Sequence, residues 1–219
     1  MAKKRKVNNL LALAVLSAMI DRPKHRYEIA HTLRERGKDQ DMAIKWGSLY
    51  TVVQSLEKVG FLEIVGSERD GARPERVIYQ ITEAGRAELL DWTRELVAVP
   101  EPEQHRFIAG LSILSMLPPD EVVELLGRRV DALNHIIDNV RTELGQVKSS
   151  GLPRLFVVES EFGLAMLEAE AAWAHSLREE LIDGTFPDLD WWRRVHAEQV
   201  PVAEVVASVE RGMTRQEPS

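Results

Sequence analysis

Hydrophobic spacing changes from a helical to a strand period and back along this chain, and the changes mark its parts. In the segment 45–62, Leu49, Val52, Val53, Leu56 and Val59 fall at steps of three and four, which puts them on one buried helix face. The opposite face carries Ser48, Tyr50, Thr51, Gln54, Ser55 and Lys58: hydrogen-bonding groups and one cation, with no acid before Glu57. Gly60 stops the helix. Residues 62–65 and 77–81 then have strand character, and the intervening loop 66–76 holds two Gly, one Pro and the three arginines Arg69, Arg73 and Arg76. That pattern predicts a β-hairpin with a basic tip.

Upstream, Asn8-Asn9 precede a run from Leu10 to Leu16 that is apolar nearly all round, so a capped helix at the centre of a small domain is expected. Asp21-Arg22-Pro23 breaks it, and Tyr27, Ile29, Ala30 and Leu33 mark a second helix ending near Arg36-Gly37. Downstream of the hairpin, Thr82 is placed to cap a helix with Leu89, Trp92 and Leu96 on one face. Helix, helix, polar-fronted helix, hairpin, helix is the order of a winged helix-turn-helix.

Beyond Pro100-Glu101-Pro102 the period is helical throughout. A short amphipathic segment over 103–117 ends at Pro118-Pro119-Asp120. From Leu126 the apolar positions Val130, Leu133, Ile137, Val140, Leu144 and Val147 form a heptad seam that needs a partner helix, from the same chain or from a second copy. Gly145 and Ser149-Ser150-Gly151 are expected to end this helix. A second long helix over about 153–182 carries Phe162, Met166, Trp173, Leu177 and Leu181 on one side, with Gly184 closing it. Asp190-Trp191-Trp192 starts a last short helix whose two tryptophans face different neighbours. The fold class is mainly α with a small β-hairpin. Residues 1–98 form an N-terminal winged helix-turn-helix with a basic arm, 99–199 an α-helical C-terminal dimerisation domain, and 200–219 a flexible tail.

Six short motifs, in order and at matching spacing over 8–96, resemble PadR-type transcriptional regulators: Leu11-Ala12-Leu13-Ala14-Val15-Leu16, Tyr27-Glu28-Ile29, Gly47-Ser48-Leu49-Tyr50, Leu56 to Leu62, Arg73 to Tyr79, and Ile81-Thr82-Glu83-Ala84-Gly85. The remainder resembles, by pattern, the longer subfamily with a helical dimerisation domain. The resemblance implies a dimeric, usually repressing protein that binds a double-stranded DNA operator. It also implies an affinity that often responds to a small aromatic or drug-like effector.

The net charge of −7 is unusual for a binder of a polyanion, but it divides unevenly. Residues 1–80 hold 15 Lys+Arg and 10 Asp+Glu, and residues 81–219 hold 13 and 25, so the first part is at +5 and the second at −12. Binding follows the local field of the presented face, and the winged end is the basic one. Lys3-Lys4-Arg5-Lys6-Val7 resembles a nuclear-import signal taken alone, although such short motifs recur by chance. A disordered arm adding phosphate attraction is the preferred reading. With no Cys, no membrane-length apolar run and no signal-peptide core behind the N-terminal charges, a soluble cytoplasmic protein without membrane association is expected.

Catalytic motifs are missing. There is no Gly-x-Ser-x-Gly elbow and no phosphate-binding Gly loop, and the six histidines are scattered, so no enzyme and no cofactor are expected. His135 with Asp131 and Asp138 has a metal-compatible helical spacing, but solvated helix faces commonly show the same pattern, and no metal site is assigned. The candidate DNA contacts are Tyr27, Lys45, Ser48, Tyr50, Thr51, Gln54, Lys58, Arg69, Arg73 and Arg76. Those of the 48–58 helix would meet base edges, and the arginines of the loop would meet phosphates or the minor groove. The homodimer interface is assigned to Val130, Leu133, Ile137, Val140, Leu144, Phe162, Met166, Trp173 and Leu177. An aromatic effector is assigned to Trp92, Phe107 and Trp173 in a pocket between the domains. The competing reading is a helical interaction module whose winged domain binds a protein. Such a domain would expose apolar residues on its third helix and loop, where this one exposes polar and basic groups.

Overall fold

The side chain of Asn9 accepts a hydrogen bond from the Leu11 N–H at 2.9 Å and opens α1 (Leu10–Ala18), which is buried along nearly its whole length. This computed structural model describes residues 5–38, 42, 44–68, 76–101, 105–198, 200 and 204. The chain divides into two compact units, Met1–Glu103 and Gln104–Ser219.

In the first unit, α1 is followed by β1 (Lys24–His25), α2 (Arg26–Glu35), a 3-10 turn (Trp46–Ser48), α3 (Leu49–Lys58), β2 (Leu62–Glu68), β3 (Arg76–Ile81) and α4 (Glu83–Ala98). The expected hairpin is part of a three-stranded antiparallel sheet in the order β1-β3-β2, with Lys24 opposite Tyr79 and Leu62 opposite Ile81. A two-residue strand made of Lys and His carries no periodic signal, so β1 was not legible in the sequence. β2 runs three residues past its expected end. Gly66, Ser67 and Glu68 pair with Ile78, Val77 and Arg76 beyond an irregularity between Ile64 and Gly66. The glycine marks a bulge within the ladder and not its end.

Two polar contacts fix the turn into α2. Lys24 is 1% exposed, and its ammonium donates to the Ala18 carbonyl at 2.8 Å and to the Asp21 carboxylate. His25 and Glu28 form a capping box, each side chain accepting from the other's backbone N–H.

At the other end, Gly60 takes φ +81°, which a residue with a Cβ rarely adopts, and turns α3 into β2. Thr82 accepts from the Gly85 N–H at 3.0 Å and donates to the Gly60 carbonyl at 2.7 Å, so one hydroxyl caps α4 and ties it to that turn. Gly85 permits the contact. A Cβ there would stand 2.2 Å from the Phe61 carbonyl oxygen.

The second unit contains α5 (Arg106–Leu111), a 3-10 turn (Leu114–Met116), α6 (Pro119–Ser149), a 3-10 turn (Arg154–Phe156), α7 (Val158–Asp183) and α8 (Leu189–Ala197). α6 passes through Gly145, which was expected to help end it. One glycine in a helix interior costs only about 1 kcal/mol, too little to stop a 31-residue helix. Gly184 closes α7 with φ +75°. Trp191 is exposed, whereas Trp192 is buried with its indole N–H on the Leu117 carbonyl at 3.0 Å.

The seam on α6 does not await a second copy. Leu126 packs with Ala174 and Leu181, and Leu133 and Ile137 pack with Ala171, Leu164 and Leu167, so α7 of the same chain fills it. Leu144 is buried too, while Val130 and Val140 are half-buried. Of the five seam residues assigned to the dimer interface, Leu133, Ile137 and Leu144 are thus buried within one chain, whereas Val130 and Val140 keep part of their area exposed. Leu177 is half-buried against the same core. Arg129–Glu170 and Arg141–Glu168 pairs bridge the two helices outside the seam.

Candidate nucleic-acid interface

The helix α3 has two chemically distinct sides. Leu49, Val52, Val53 and Leu56 are buried in the core of the first unit. Tyr50, Thr51, Gln54 and Lys58 are exposed, and Ser48 is half-exposed at the end of the preceding 3-10 turn. Lys45 is exposed just before that turn. The polar set assigned from spacing therefore stands together on one surface, held from behind by the core of α1 and the sheet.

Around this front the structure adds aromatic and cationic groups. Tyr27, in the first turn of α2, is 76% exposed, and the Arg76 guanidinium lies 5.8 Å from its ring centre. The ring of Trp46 lies under Arg34 at 4.1 Å. Arg69 and Arg73 lie outside the described residues.

Arg26 was absent from the sequence-based set. It sits between two tyrosines, with its Cζ 3.7 Å from the ring centre of Tyr50 and its Nη2 donating to the Tyr79 hydroxyl. Nothing near position 26 announces this role. The partners are distant in sequence, and only the β1–β3 pairing and the packing of α2 on α3 bring them together.

Of the basic arm, Lys3 and Lys4 lie outside the described residues, and Arg5 departs from the expected role. The Arg5 side chain is only 2% exposed and pairs with Glu88 at 2.6 Å, with Glu95, and with Asp91 at 3.4 Å, its guanidinium 5.2 Å from the ring centre of Trp92. Burial works against its charge, but the hydrogen bonds and attraction of Glu88 and Glu95 outweigh it and hold the proton more tightly than usual. This arginine is therefore spent on α4 and has no free charge for phosphate. The spacing of Glu88, Asp91 and Glu95 along one helix side is the signal that could have paired it.

The aromatic effector set is drawn from both units. Trp92 is buried in the core of the first unit beneath Arg5. Phe107 and Trp173 do meet, in the second unit, edge to face at 5.9 Å, with the Arg129 guanidinium 3.7 Å above Phe107. A groove of about 720 Å³ also runs between α6 and α7, lined in part by Val130, Asn134, Arg141, Glu168 and His175. Asp131, His135 and Asp138 are exposed on α6, and among the described residues no group of three His, Cys, Asp or Glu side chains could hold a metal ion. No helix among the described residues is long and apolar enough to cross a membrane.

Comparison with known proteins places this geometry. Residues 15–91 match the model of the transcriptional regulator PadR-like family. The chain is similar in fold to the crystal structure of Bacillus subtilis PadR in complex with operator DNA, with TM-score 0.66 and 18% identity, covering 79% of this chain and 99% of that one. The same Bacillus subtilis protein in complex with p-coumaric acid matches with TM-score 0.64, 18% identity and the same coverage. The Vibrio cholerae virulence activator AphA matches with TM-score 0.58 and 18% identity, covering 79% of this chain and 98% of that one. No curated protein matches the chain in sequence. The matched family and these structural neighbours are transcriptional regulators, not enzymes.

Proposed function

We propose that this chain, whose residues 15–91 match the transcriptional regulator PadR-like family, is a homodimeric repressor that binds an inverted-repeat DNA operator. One observation carries the reading: α3 buries Leu49, Val52, Val53 and Leu56 and turns Tyr50, Thr51, Gln54 and Lys58 outward. The major groove presents donors and acceptors on base edges, and the uncharged Tyr50, Thr51 and Gln54, with Lys58 at the helix end, supply groups that meet them. Exposed Lys45 and half-exposed Arg76 are the cations that would meet phosphate in this reading, and Arg69 and Arg73 belong by sequence to the same basic loop.

Two heads are needed to read a palindrome. The surface offered to a second copy is the outer side of α7, where Phe162 is 68% exposed and Met166 and Trp173 are each 49% exposed. Positions 162, 166 and 173 fall on one line of the helix, beside the residues that pack against α6. Such a stripe is costly in water and is covered when two copies meet about a two-fold axis.

The effector belongs to the same reading. The corner made by Phe107, Trp173 and Arg129 supports a flat aromatic acid as the effector, with aromatic rings beside a guanidinium that the acid's carboxylate would share with Glu170. Titration with p-coumaric acid, read by tryptophan fluorescence and by loss of operator binding, tests it, and Phe107→Ala should abolish both responses.

The operator itself is reached by recovering genomic fragments bound to the full chain and measuring gel shifts on the consensus duplex. Tyr50→Ala and Gln54→Ala should each weaken the consensus by about 1–3 kcal/mol and relax one base position. Unchanged affinity in both variants would remove α3 as the reading element.

A further inference from the structure

Tyr50 is 53% exposed on the front of α3, yet its ring is not free. The Arg26 guanidinium lies against it, Cζ 3.7 Å from the ring centre. The same guanidinium donates through Nη2 to the hydroxyl of Tyr79 and lies 5.3 Å from the centre of that ring. Tyr79 is 3% exposed and fixed in the middle strand of the sheet, opposite Lys24 and Ile64. One planar cation thus connects the helix front to β3, the strand that carries one side of the wing.

This arrangement is unfavourable by local rules. Arg26 is in the first turn of α2, the positive end of the helix dipole, where a cation is disfavoured. Its Nε is buried with no hydrogen-bond partner, and among the described residues no carboxylate pairs with it. A long flexible side chain held under these conditions is held by its two rings. Only a guanidinium serves both, since it stacks through its flat face while donating from its edge, which an ammonium cannot do.

We infer that Arg26 is a positioning residue: it holds the Tyr50 ring in one orientation before DNA arrives and ties that orientation to the wing strand. The inference rests on the reading of α3 as the DNA-contacting helix. An exposed side chain that must be immobilised on docking weakens binding, and immobilising it beforehand removes that loss. The expected size is about three- to tenfold in operator affinity.

The test has one arm without DNA and one with it. In the free full-length chain, the aromatic NMR signals of Tyr50, assigned by their loss in Tyr50→Ala, should move toward averaged positions in Arg26→Ala. Tyr79→Phe, which removes only a hydroxyl, should shift them the same way. Unchanged Tyr50 signals in both variants overturn the inference whatever the chain binds. With the duplex recovered from the genome, Arg26→Ala should lose about three- to tenfold in affinity with the salt dependence unaltered, and should cost nothing further in a Tyr50→Ala background. Arg26→Lys should behave as Arg26→Ala does, since charge without the flat fork is not enough. Full binding by Arg26→Lys, additive losses with Tyr50→Ala, or a salt slope reduced by about one would each overturn the positioning role, the last by making Arg26 a phosphate contact. If the wild-type chain binds no duplex, the operator reading fails, and the NMR arm still decides the Arg26–Tyr50 contact.

Discussion

The helices α3 and α7 are both amphipathic, both bury one side in their own unit, and differ in what remains outside. The outer side of α3 is Tyr50, Thr51, Gln54 and Lys58, whereas that of α7 is Phe162, Met166 and Trp173. A polar surface backed by a rigid core loses little by staying in water until a partner rich in hydrogen-bonding groups arrives. An exposed line of large apolar side chains is at a disadvantage in water from the outset. The proposed function gives the two remainders different occupants, a nucleic-acid groove and a second copy of the chain. Burial, more than the presence of apolar residues, separates core from interface, because α6 has an equally regular apolar seam that the chain itself covers.

The sharpest way to break this comparison is to treat seam and stripe alike. Leu133→Ala opens a cavity under a residue that is 7% exposed and should destabilise the second unit by about 2–5 kcal/mol in chemical unfolding. Phe162→Glu with Met166→Glu should leave helix content and unfolding midpoint nearly unchanged while sedimentation shows monomers and tight operator binding disappears. If the exposed pair unfolds the chain and Leu133→Ala does not, the division of the two helices drawn above is reversed.

Gly85→Ala asks the same question of the first unit. A Cβ 2.2 Å from the Phe61 carbonyl must push α4 off the turn that follows α3, so a loss of about 1–3 kcal/mol is expected in thermal or urea unfolding. Operator affinity should fall with it, since the same turn anchors α3, the proposed reading helix. A variant as stable as wild type would show that α4 is free to slide.

Acid should act on one identified pair. Hydrogen bonding from Lys24 holds the Asp21 carboxyl below its ordinary pKa. A depressed carboxylate contributes stability above its unfolded value, about 3.9, and loses it as pH falls through the lower folded value. Asp21→Asn should therefore be less stable than wild type near neutrality and show a shallower decline below about pH 4. Parallel declines in the two proteins would mean that the pair contributes nothing measurable, consistent with the half-exposure of Asp21.

The smallest effect belongs to the wing. Arg76→Ala should weaken specific and random duplexes nearly equally and reduce the salt slope by about one, because an arginine on a strand end finds phosphate without reading sequence. Loss confined to the operator would promote Arg76 to a base contact.

Much of this molecule was legible in residue order. Steps of three and four placed the buried side of α3, Asn9 and Thr82 announced the starts of α1 and α4, and Gly60 and Gly184 marked ends, because these signals act through backbone geometry within a few residues. Periodicity likewise found α6 and α7 and the polar front of α3. It could not say what covers an apolar seam, since spacing reports that a side is buried and not against which chain; only the packing of α7 on α6 decided that for Leu133 and Ile137. Charge counting had the same limit. Arg5 and Arg26 contribute equally to the net charge, yet one is neutralised by Glu88 and Glu95 and the other is wedged between Tyr50 and Tyr79. Local sequence determines which elements form and which sides they bury. Contacts between residues far apart in the chain decide which side chains remain available, because availability depends on the neighbours that the fold brings in.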